Sequence, residues 1–398
     1  MTERIYYTEP ARRSFDAVVT AVVEHEGAPA VVLDRTAFYP TSGGQPFDTG
    51  HLGTTDVVNT VDDGERVLHV VSARPRGDLL NVGEAVHGEI DWTRRFDHMQ
   101  QHTGQHVLSA AFARLLTVRT ESFHMGVDYS TIDLAREVSA QEIARAENEA
   151  NRIVWEDRPV RIRFADAEEA ASMGLRKESK RDGTLRLIEI EDFDLSACGG
   201  THVARTGAIG IIAVAASERF RGGSRITFLC GGRALAGFRA LRDSVAGSVR
   251  ALSVLPAELP SAIERLQAEG KELRRHIKDF QSRVAAQEAD ALAAAAQPSG
   301  TVRLVLTAMP GWDAAGLKTV ASRIVERPGH LVVLLGDPPT VPIVVARSSD
   351  VAHDAGAILR KIVERHGGKG GGRPEMAQGG GITAAPAAVL EHARELVK

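Results

Sequence analysis

The sequence is poor in cysteine, in aromatic residues and in long apolar runs. Its 398 residues contain two cysteines, Cys198 and Cys230, too few for the disulfide framework of a small secreted domain. Phe, Trp and Tyr together make up 5% of the chain. No apolar run approaches the ~18 residues of a membrane span, and the first residues lack the charged and apolar segments of a signal peptide. We therefore expect a cytoplasmic chain with no membrane partner.

The chain also lacks an excess of positive charge. Its 48 Lys and Arg residues against 52 Asp and Glu residues give a net charge of -4, which argues against binding nucleic acid through overall charge. From residue 300 onward, 12 basic residues stand against 9 acidic ones, so this segment is slightly basic. Any contact with RNA must then be local. At this length, and with 43% hydrophobic residues, the chain is globular and long enough for two to four domains.

The periodicity of the sequence predicts a multidomain α+β protein with four parts. Residues 1–90 are predicted to form a small β-barrel, because valine-rich and alternating segments are separated by turns such as Asp63-Gly64. Residues 91–235 are predicted as an α+β domain with a long helix over 94–116 and a second helix that Ser139 and Glu142 cap.

The last two parts change in character. Residues 236–297 are predicted as a helical, coiled-coil-like arm, since apolar residues recur every seven positions from Leu259 to Phe280. Ser261 and Glu264 have the spacing of a capping box for this arm. Residues 298–398 alternate continuous apolar strands with helical stretches, a pattern typical of an α/β domain.

Two pairs of potential metal ligands lie in the second part. His102 and His106 are four residues apart in a predicted helix, so their imidazoles lie on the same face. Cys198 and His202 have the same spacing, beside two glycines. A thiolate with three imidazoles is a donor set typical of zinc, so we predict one Zn²⁺ per chain. His98 and His102 are spaced equally well, and spacing alone does not exclude that pair.

A glycine-centred turn lies within residues 36–50. Gly43 and Gly44 permit positive φ and close approach of the backbone to a ligand. Thr36 and Gln45 supply polar groups that could hydrogen-bond a substrate hydroxyl. An ordinary glycine turn accounts for the same residues equally well.

A second glycine-rich segment covers residues 367–381. Its composition suits a flexible linker, but Lys369, Arg373 and Gln378 lie within it and a predicted helix over 386–397 follows. Accessible backbone amides beside a lysine and an arginine suit a phosphate backbone. We therefore predict that this segment contacts RNA.

Four motifs, in this order along the chain, resemble the editing and C-terminal portions of alanyl-tRNA synthetase. They are FYPTSGGQ from residue 38, HTGQH from residue 102, CGGTHV from residue 198 and GGKGGGRPEMAQGGG from residue 367. The predicted barrel begins so near the first residue that we expect no aminoacylation domain. The chain thus looks like a free-standing alanyl-tRNA editing protein of the long type.

The resemblance implies a zinc-dependent deacylase that hydrolyses the ester of tRNA(Ala) mischarged with serine, and often with glycine. It places His102, His106, Cys198 and His202 on the family's zinc positions, and it places Gly43, Gly44 and Gln45 on the loop of the substrate pocket. It also implies a C-terminal domain that binds tRNA and assists dimerisation, so we expect a homodimer through the arm and this domain.

Two other functions remain open at this point. One is a non-enzymatic RNA-binding protein in which zinc only stabilises the middle domain. The other is a zinc hydrolase that acts on a different ester or amide.

Overall fold

The computed structural model describes residues 1–72, 80–176, 183–339 and 341–398. It divides into two compact units, Met1–Ser248 and Val249–Lys398. Both units contain helices and sheets, which confirms the multidomain α+β class. The finer division into four parts stays a prediction. Among the described residues, no helix is long and apolar enough to cross a membrane.

The first unit begins with a closed barrel in the strand order β2-β3-β7-β6-β5-β8, beside a short parallel pair, β1 and β4. The eight strands are β1 Glu3–Arg4, β2 Ser14–His25, β3 Ala28–Leu33, β4 Arg35–Thr36, β5 Gly50–Leu52, β6 Thr55–Asp63, β7 Arg66–Val71 and β8 Ala85–Ile90. Along β2, Phe15, Ala17 and Val19 are buried and alternate with exposed residues, which is the period of a strand with one face in a core. The Asp63-Gly64 turn joins β6 to β7 as predicted.

A long helix, α1 Trp92–Leu116, follows the barrel. The Asp91 carboxylate caps it by accepting a hydrogen bond from the Arg94 amide, and Thr117 ends it with a positive φ of 54°. The sequence predicted a start at residue 94, two residues after the observed start at Trp92. Every residue from His98 to Phe112 is buried, so the histidines lie inside the unit and not on a solvent face.

The rest of the first unit surrounds α1 with two sheets and shorter helices. The elements are β9 Thr120–Met125, β10 Ser130–Leu134, α2 Ala140–Trp155, β11 Val160–Ala165, α3 Ala167–Ser172, β12 Leu185–Ile190, β13 Asp194–Ala197, β14 Ile212–Phe220, β15 Gly223–Cys230 and α4 Gly231–Leu252. The sheets have the orders β14-β15-β10-β9 and β11-β12-β13. The predicted capping box of α2 is confirmed, with Ser139 and Glu142 bonded reciprocally.

The second unit is built on a six-stranded sheet in the order β16-β17-β18-β19-β21-β20. Its elements are α5 Leu259–Ala294, β16 Gln297–Ser299, β17 Val302–Ala308, α6 Ala314–Val325, β18 His330–Leu335, β19 Ile343–Arg347, α7 Ala355–His366, β20 Lys369–Gly372, β21 Met376–Gly380 and α8 Pro386–Glu395. Only β17 and β18 pair in parallel within this sheet, so the continuous apolar strands do not form the wholly parallel sheet that such runs suggest. They are apolar throughout because apolar residues of α5 and α6 cover one face and those of α7 and α8 cover the other.

The arm helix α5 differs from its prediction at its start. It begins at Leu259, and the Ser261 hydroxyl donates to the Glu258 carbonyl, so the predicted cap by Ser261 and Glu264 is wrong. Pro260 near the first helical position supplies the start instead. Of the heptad residues, Leu273 is 62% exposed and Phe280 63% exposed. Whether a second chain covers them stays a prediction.

Candidate metal centre

Four side chains converge inside the first unit, and they are the four predicted ligands. His102 and His106 project from α1, while Cys198 and His202 lie in the loop after β13. One potential ligand atom from each lies within 4.8 Å of the others. The Cys198 Sγ atom is 3.4 Å from His102 Nε2 and 3.4 Å from His202 Nε2. The spacing of Cys198 and His202 matches a helix, but the segment that carries them is not helical.

Hydrogen bonds fix which nitrogen of His102 faces the cluster. Its Nδ1 donates to Gln45 Oε1 at 2.8 Å, and the same oxygen accepts from the Thr201 amide at 3.0 Å. The Gln45 amide nitrogen donates to the Thr201 hydroxyl at 2.8 Å, which sets the orientation of the amide. The His102 proton therefore lies on Nδ1, and the lone pair of Nε2 faces the thiol.

His106 is anchored by a carboxylate. Its Nδ1 lies 3.1 Å from Asp194 Oδ2, and Arg176 Nε donates to Asp194 Oδ1 at 2.6 Å. Asp194 and His106 are both buried. A carboxylate behind a histidine is the usual outer partner of a metal-bound imidazole, and it makes that imidazole a stronger ligand.

His202 is anchored by a hydroxyl. The Thr103 hydroxyl donates to the Met99 carbonyl at 2.8 Å, so its oxygen accepts at 3.2 Å from His202 Nδ1. The Val203 amide also donates to this oxygen, at 3.1 Å. All three imidazoles thus use Nδ1 as an anchored donor and present Nε2 to the centre.

The electrostatics of the cluster favour a bound cation. Burial raises the pKa of the Cys198 thiol, but the neighbouring His102 and His202 outweigh it and hold that pKa well below its usual range. Burial lowers the pKa of His202 to about 3, which keeps this imidazole neutral. Burial also lowers the pKa of His106, yet its hydrogen bonds to Asp194 and Cys198, together with the negative charge of these two groups, raise that pKa by more. A proton on His106 would occupy the position that a metal takes, so metal binding should release it.

The loop that carries Cys198 is held from behind by Arg186. This buried guanidinium donates from Nη1 to the carbonyls of Cys198 at 2.6 Å and Gly200 at 3.0 Å, and from Nε to the Tyr7 carbonyl at 2.8 Å. A Cβ at Gly200 would lie 2.1 Å from His102 Cε1. Glycine is therefore required at this position because the loop backbone touches the ligand imidazole.

The predicted glycine turn lies against the same cluster. Gly43 and Gly44 have φ of 57° and 87°, and the Gly44 carbonyl accepts from the Met125 amide at 3.2 Å. Gln45 follows them and is the residue that anchors His102. The structure thus brings the turn and the metal ligands together through Gln45.

Thr36, by contrast, is directed into the barrel. Its hydroxyl lies 2.7 Å from His69 Nε2, and His69 Nδ1 lies 3.1 Å from the Val31 carbonyl. A carbonyl can only accept, so Nδ1 carries the proton and the Thr36 hydroxyl donates to Nε2. Its hydroxyl proton is therefore already used, and a role for Thr36 in binding substrate stays a prediction.

The remaining candidates are not members of this cluster. His98 is buried among Arg94, Asp97 and Arg233 and is not one of the clustered ligands. Lys369, Arg373 and Gln378 belong to the second unit, where β20 and β21 form a hairpin with Gly371 opposite Gln378. All three of these side chains are exposed. The glycine-rich segment is thus an ordered hairpin at a sheet edge and not a linker.

Sequence reasoning missed the outer anchors of the cluster: Thr103, Arg176, Arg186, Asp194 and Thr201. Arg176, Arg186 and Asp194 lie in no recognisable pattern, because each meets its ligand or loop only through the fold. Thr103 and Thr201 could have been found, since they sit inside the HTGQH and CGGTHV motifs beside His102 and His202.

Three family models match the chain in order. They are the tRNA synthetases class II (A) over residues 10–94, the threonyl and alanyl tRNA synthetase second additional domain over residues 185–226, and the DHHA1 domain over residues 301–398. A solved structure, the C-Ala domain from Aquifex aeolicus alanyl-tRNA synthetase, matches 26% of this chain and 96% of its own at 20% identity, with a TM-score of 0.25 that is too low to inform the fold.

Similar proteins fall into two groups. The alanine–tRNA ligases of Pyrococcus furiosus and Natronomonas pharaonis are each 35% identical to this chain and match 95% and 96% of it, but the chain spans only 42% of either ligase. The alanyl-tRNA editing protein AlaX-L of Pyrococcus horikoshii is 32% identical over 415 residues, which cover 100% of this chain and 99% of that protein. The resemblance seen in the sequence motifs is therefore confirmed, and the chain belongs to the alanyl-tRNA editing protein family.

Proposed function

We propose that the protein is an aminoacyl-tRNA deacylase that hydrolyses the ester of tRNA(Ala) mischarged with serine, and also with glycine, without charging any tRNA itself. The observation that carries this proposal is the buried cluster of His102, His106, Cys198 and His202 beside the Gly43-Gly44 turn. The name of the AlaX-L relative supports the same activity. As a partner of charged tRNA, the protein would act in the cytoplasm.

We propose Zn²⁺, one per chain, as the metal. The donor set fits it, because one thiolate of lowered pKa and three imidazoles with anchored Nδ1 protons are a common zinc environment. A bound zinc supplies both a Lewis acid and a rigid cross-link, and four protein ligands favour the cross-link because they leave no open position.

The chain's own residues then explain how the metal centre would serve the pocket. Gln45 binds His102 through its side chain, while its backbone pairs with Ser42 across the glycine turn. The Tyr39 hydroxyl donates to the Ser42 carbonyl at 3.1 Å from the other side of the turn. The turn is therefore fixed by the metal centre, and its backbone groups are positioned to orient the aminoacyl end of the substrate.

Discrimination against alanine would rest on polar groups that only serine satisfies. A buried group that binds a substrate hydroxyl is left without a partner when alanine enters, which can reduce the rate by factors of about 10⁴. Gln45 and Thr36 remain our candidates for this role. Gln45 Oε1 already accepts from His102 and from the Thr201 amide, and one Nε2 proton goes to the Thr201 hydroxyl, so Gln45 would bind the substrate hydroxyl through its second Nε2 proton.

The second unit would bind the body of the tRNA and assist homodimerisation. Lys369 and Arg373 are exposed at the β20–β21 hairpin, beside Gln378 on the paired strand. Glycines give close backbone approach here, since a Cβ at Gly372 would lie 2.4 Å from Ala377 Cα. The exposed heptad residues of α5 supply the apolar surface for a second copy.

The deciding experiment is single-turnover deacylation of tRNA(Ala) charged with serine, glycine or alanine. We expect rapid release of serine, release of glycine, and little release of alanine. A zinc-stabilised RNA-binding protein would bind all three without hydrolysis, an alternative that the closed four-ligand centre supports. A hydrolase of another ester would cleave simple esters and show no preference among the charged tRNAs.

A further inference from the structure

A groove of about 1000 Å³ lies in the first unit. It is lined by residues 8–14, by residues 160–162 of β11, and by residues 202–204. His202 is thus both a wall of the groove and a member of the metal cluster. The groove lies at the upper end of the size range of small-molecule sites, which is about 300–1000 Å³.

Both walls of the groove are fixed to the elements that carry the metal ligands. On one side, Arg95 Nη1 of α1 donates to the Pro10 carbonyl at 2.7 Å, and the Ile90 amide donates to the Arg13 carbonyl at 2.8 Å. On the other side, the Val160 amide donates to the Ala204 carbonyl at 2.9 Å, two residues beyond His202. The groove is therefore preformed, and its position relative to the metal centre is set by backbone hydrogen bonds.

The charged groups that line the groove are mainly basic. Arg12 and Arg13 lie on one wall and Arg161 on the other, against Glu9 as the acidic lining residue. Arg12 pairs with Glu9 at 2.5 Å, and Arg161 pairs with Glu191 at 2.7 Å.

Arg13 is held differently from the other two. Its guanidinium lies over the Trp92 ring at 4.3 Å from the centroid. Within the described part of the chain, Arg13 has no carboxylate partner within 4.0 Å. A guanidinium stacked on an aromatic ring keeps its N–H edge available and oriented, which suits a phosphate group.

We propose that this groove takes the single-stranded 3′ end of an RNA, with Arg12, Arg13 and Arg161 on its phosphates and its terminal ester directed to the metal centre. The inference rests on the proposed function and adds the route by which the substrate arrives. Positive charge on both walls fits a phosphodiester strand better than a small neutral ester. His202 lines the groove and belongs to the cluster, so a strand in this groove would present its terminal residue there.

The test uses the metal-loaded full chain and two variants. One is the double variant Arg13→Gln with Arg161→Gln, and the other is Glu9→Gln. Asp63→Asn is the matched control for Glu9→Gln, because the Arg66–Asp63 pair has the same i,i+3 spacing and the same 2.5 Å distance as Arg12–Glu9 but lies at the β6–β7 turn. Arg66→Gln, at the same turn, controls for the loss of an arginine outside the groove. Two quantities are measured at several salt concentrations. One is the rate of serine release from a charged acceptor-stem minihelix, and the other is the affinity for a fluorescent single-stranded RNA that ends in CCA.

We expect KM to rise when the positive charges of the groove are removed and to fall when its negative charge is removed. The double arginine variant should raise KM about tenfold, leave kcat within a factor of about three, and make the slope of log K against log salt shallower by about 1.4, since each phosphate contact on a single strand contributes about 0.7. Glu9→Gln should lower KM. The Arg66 and Asp63 controls should change neither quantity, and all variants should keep their metal.

The outcomes separate this inference from the proposed function. If the wild-type protein releases serine but the arginine variants keep its KM and salt slope, the groove assignment is wrong and the function stands. If kcat falls while KM is unchanged, the arginines do not recognise the strand and the assignment is again wrong. If the wild-type protein releases no serine, the function fails. The RNA affinities then decide the groove alone: weaker binding by the arginine variants supports it, and equal binding overturns it.

Discussion

The buried histidine of the barrel and those of the candidate metal centre differ in how their ring nitrogens are used. In the barrel, His69 satisfies both nitrogens, with Nδ1 donating to the Val31 carbonyl and Nε2 accepting from Thr36. In the metal centre, each imidazole anchors Nδ1 and turns Nε2 toward a shared thiol. Burial of a histidine is therefore not evidence of a site. Several unprotonated nitrogens that converge on one point are evidence of a site, because lone pairs that face one another need a cation between them.

Removing the Cys198 thiolate should have the largest effect on metal binding of the changes that we predict. Cys198→Ala deletes the one anionic ligand, so we expect bound zinc to fall from about one per chain to near zero after dialysis. Elemental analysis of the purified protein measures this. Cys230→Ala is the matched control, since Cys230 is the second cysteine of the chain, its pKa is raised by burial, and it lies outside the cluster. Equal zinc in both variants would contradict the assignment.

His106→Ala and His98→Ala sharpen the same assignment. Loss of His106 removes both a ligand and the partner of Asp194, so zinc should be lost or weakly held. His98→Ala should retain zinc, because His98 is buried beside Arg94 and Arg233 outside the cluster. Retention of zinc by the first variant and its loss from the second would mean that the wrong histidine pair was chosen.

Gly200→Ala should be the next largest disturbance. The new Cβ would lie 2.1 Å from His102 Cε1 and 3.0 Å from Gln45 Oε1, so the ring or the loop must move, at a cost of about 1–3 kcal/mol. We expect a lower melting temperature and weaker zinc binding in a competition with a chelator. Gly199→Ala is the control, because its Cβ would meet only Tyr7 Cε1 at 3.9 Å. Similar losses for both glycines would show that the contact with His102 does not matter.

Asp194→Asn should have a smaller effect on the same centre. The amide preserves the shape of Asp194 but removes the charge behind His106, so zinc affinity should fall about 10- to 100-fold. Without that charge, the raised pKa of His106 should also fall, and fewer protons should be released when zinc binds. Calorimetry in buffers of different ionisation enthalpy measures both quantities. An unchanged proton count would remove Asp194 from the role we give it.

The sequence predicted the ligands better than it predicted their support. The spacing of His102 and His106 follows from helix geometry, and α1 places both on one face. Cys198 and His202 were chosen by the same spacing although they lie in a loop, so the prediction reached two residues that do converge with the histidines, but for a reason that does not apply to them. Asp194, 88 positions from His106, joins it only when β13 packs beside α1, and no local pattern reports that contact.

The fold shows the same limit. Valine-rich segments and turn residues located five of the six barrel strands but not β5, and periodicity located α1 to within two residues. The direction of the strands in the second unit was not predictable, because strands buried on both faces are equally apolar whether they pair in parallel or antiparallel. The cap of α5 was predicted wrongly because Ser261 and Glu264 have capping spacing inside a helix that had already begun.

The smallest effect that we predict concerns His69 in the barrel. It is a change in the free energy of unfolding with pH. Burial lowers the pKa of His69 from 6.5 to about 4, so below pH 6.5 the unfolded chain binds a proton at this residue that the folded chain does not. The free energy of unfolding must then decrease as the pH falls from 6.5 toward 4, by about 1 kcal/mol between pH 7 and pH 5.5.

Urea unfolding of the wild-type protein and of His69→Gln at these two pH values isolates this contribution. The variant cannot titrate at residue 69, so its unfolding free energy should fall by about 1 kcal/mol less over the same interval. Its zinc content should be unchanged, because His69 contacts Thr36 and Val31 and lies outside the cluster. Parallel pH dependence in the two proteins would mean that His69 is protonated inside the barrel. The Thr36 hydroxyl would then be free to accept from it, and the contrast between a satisfied histidine and a metal-binding one would no longer hold at this residue.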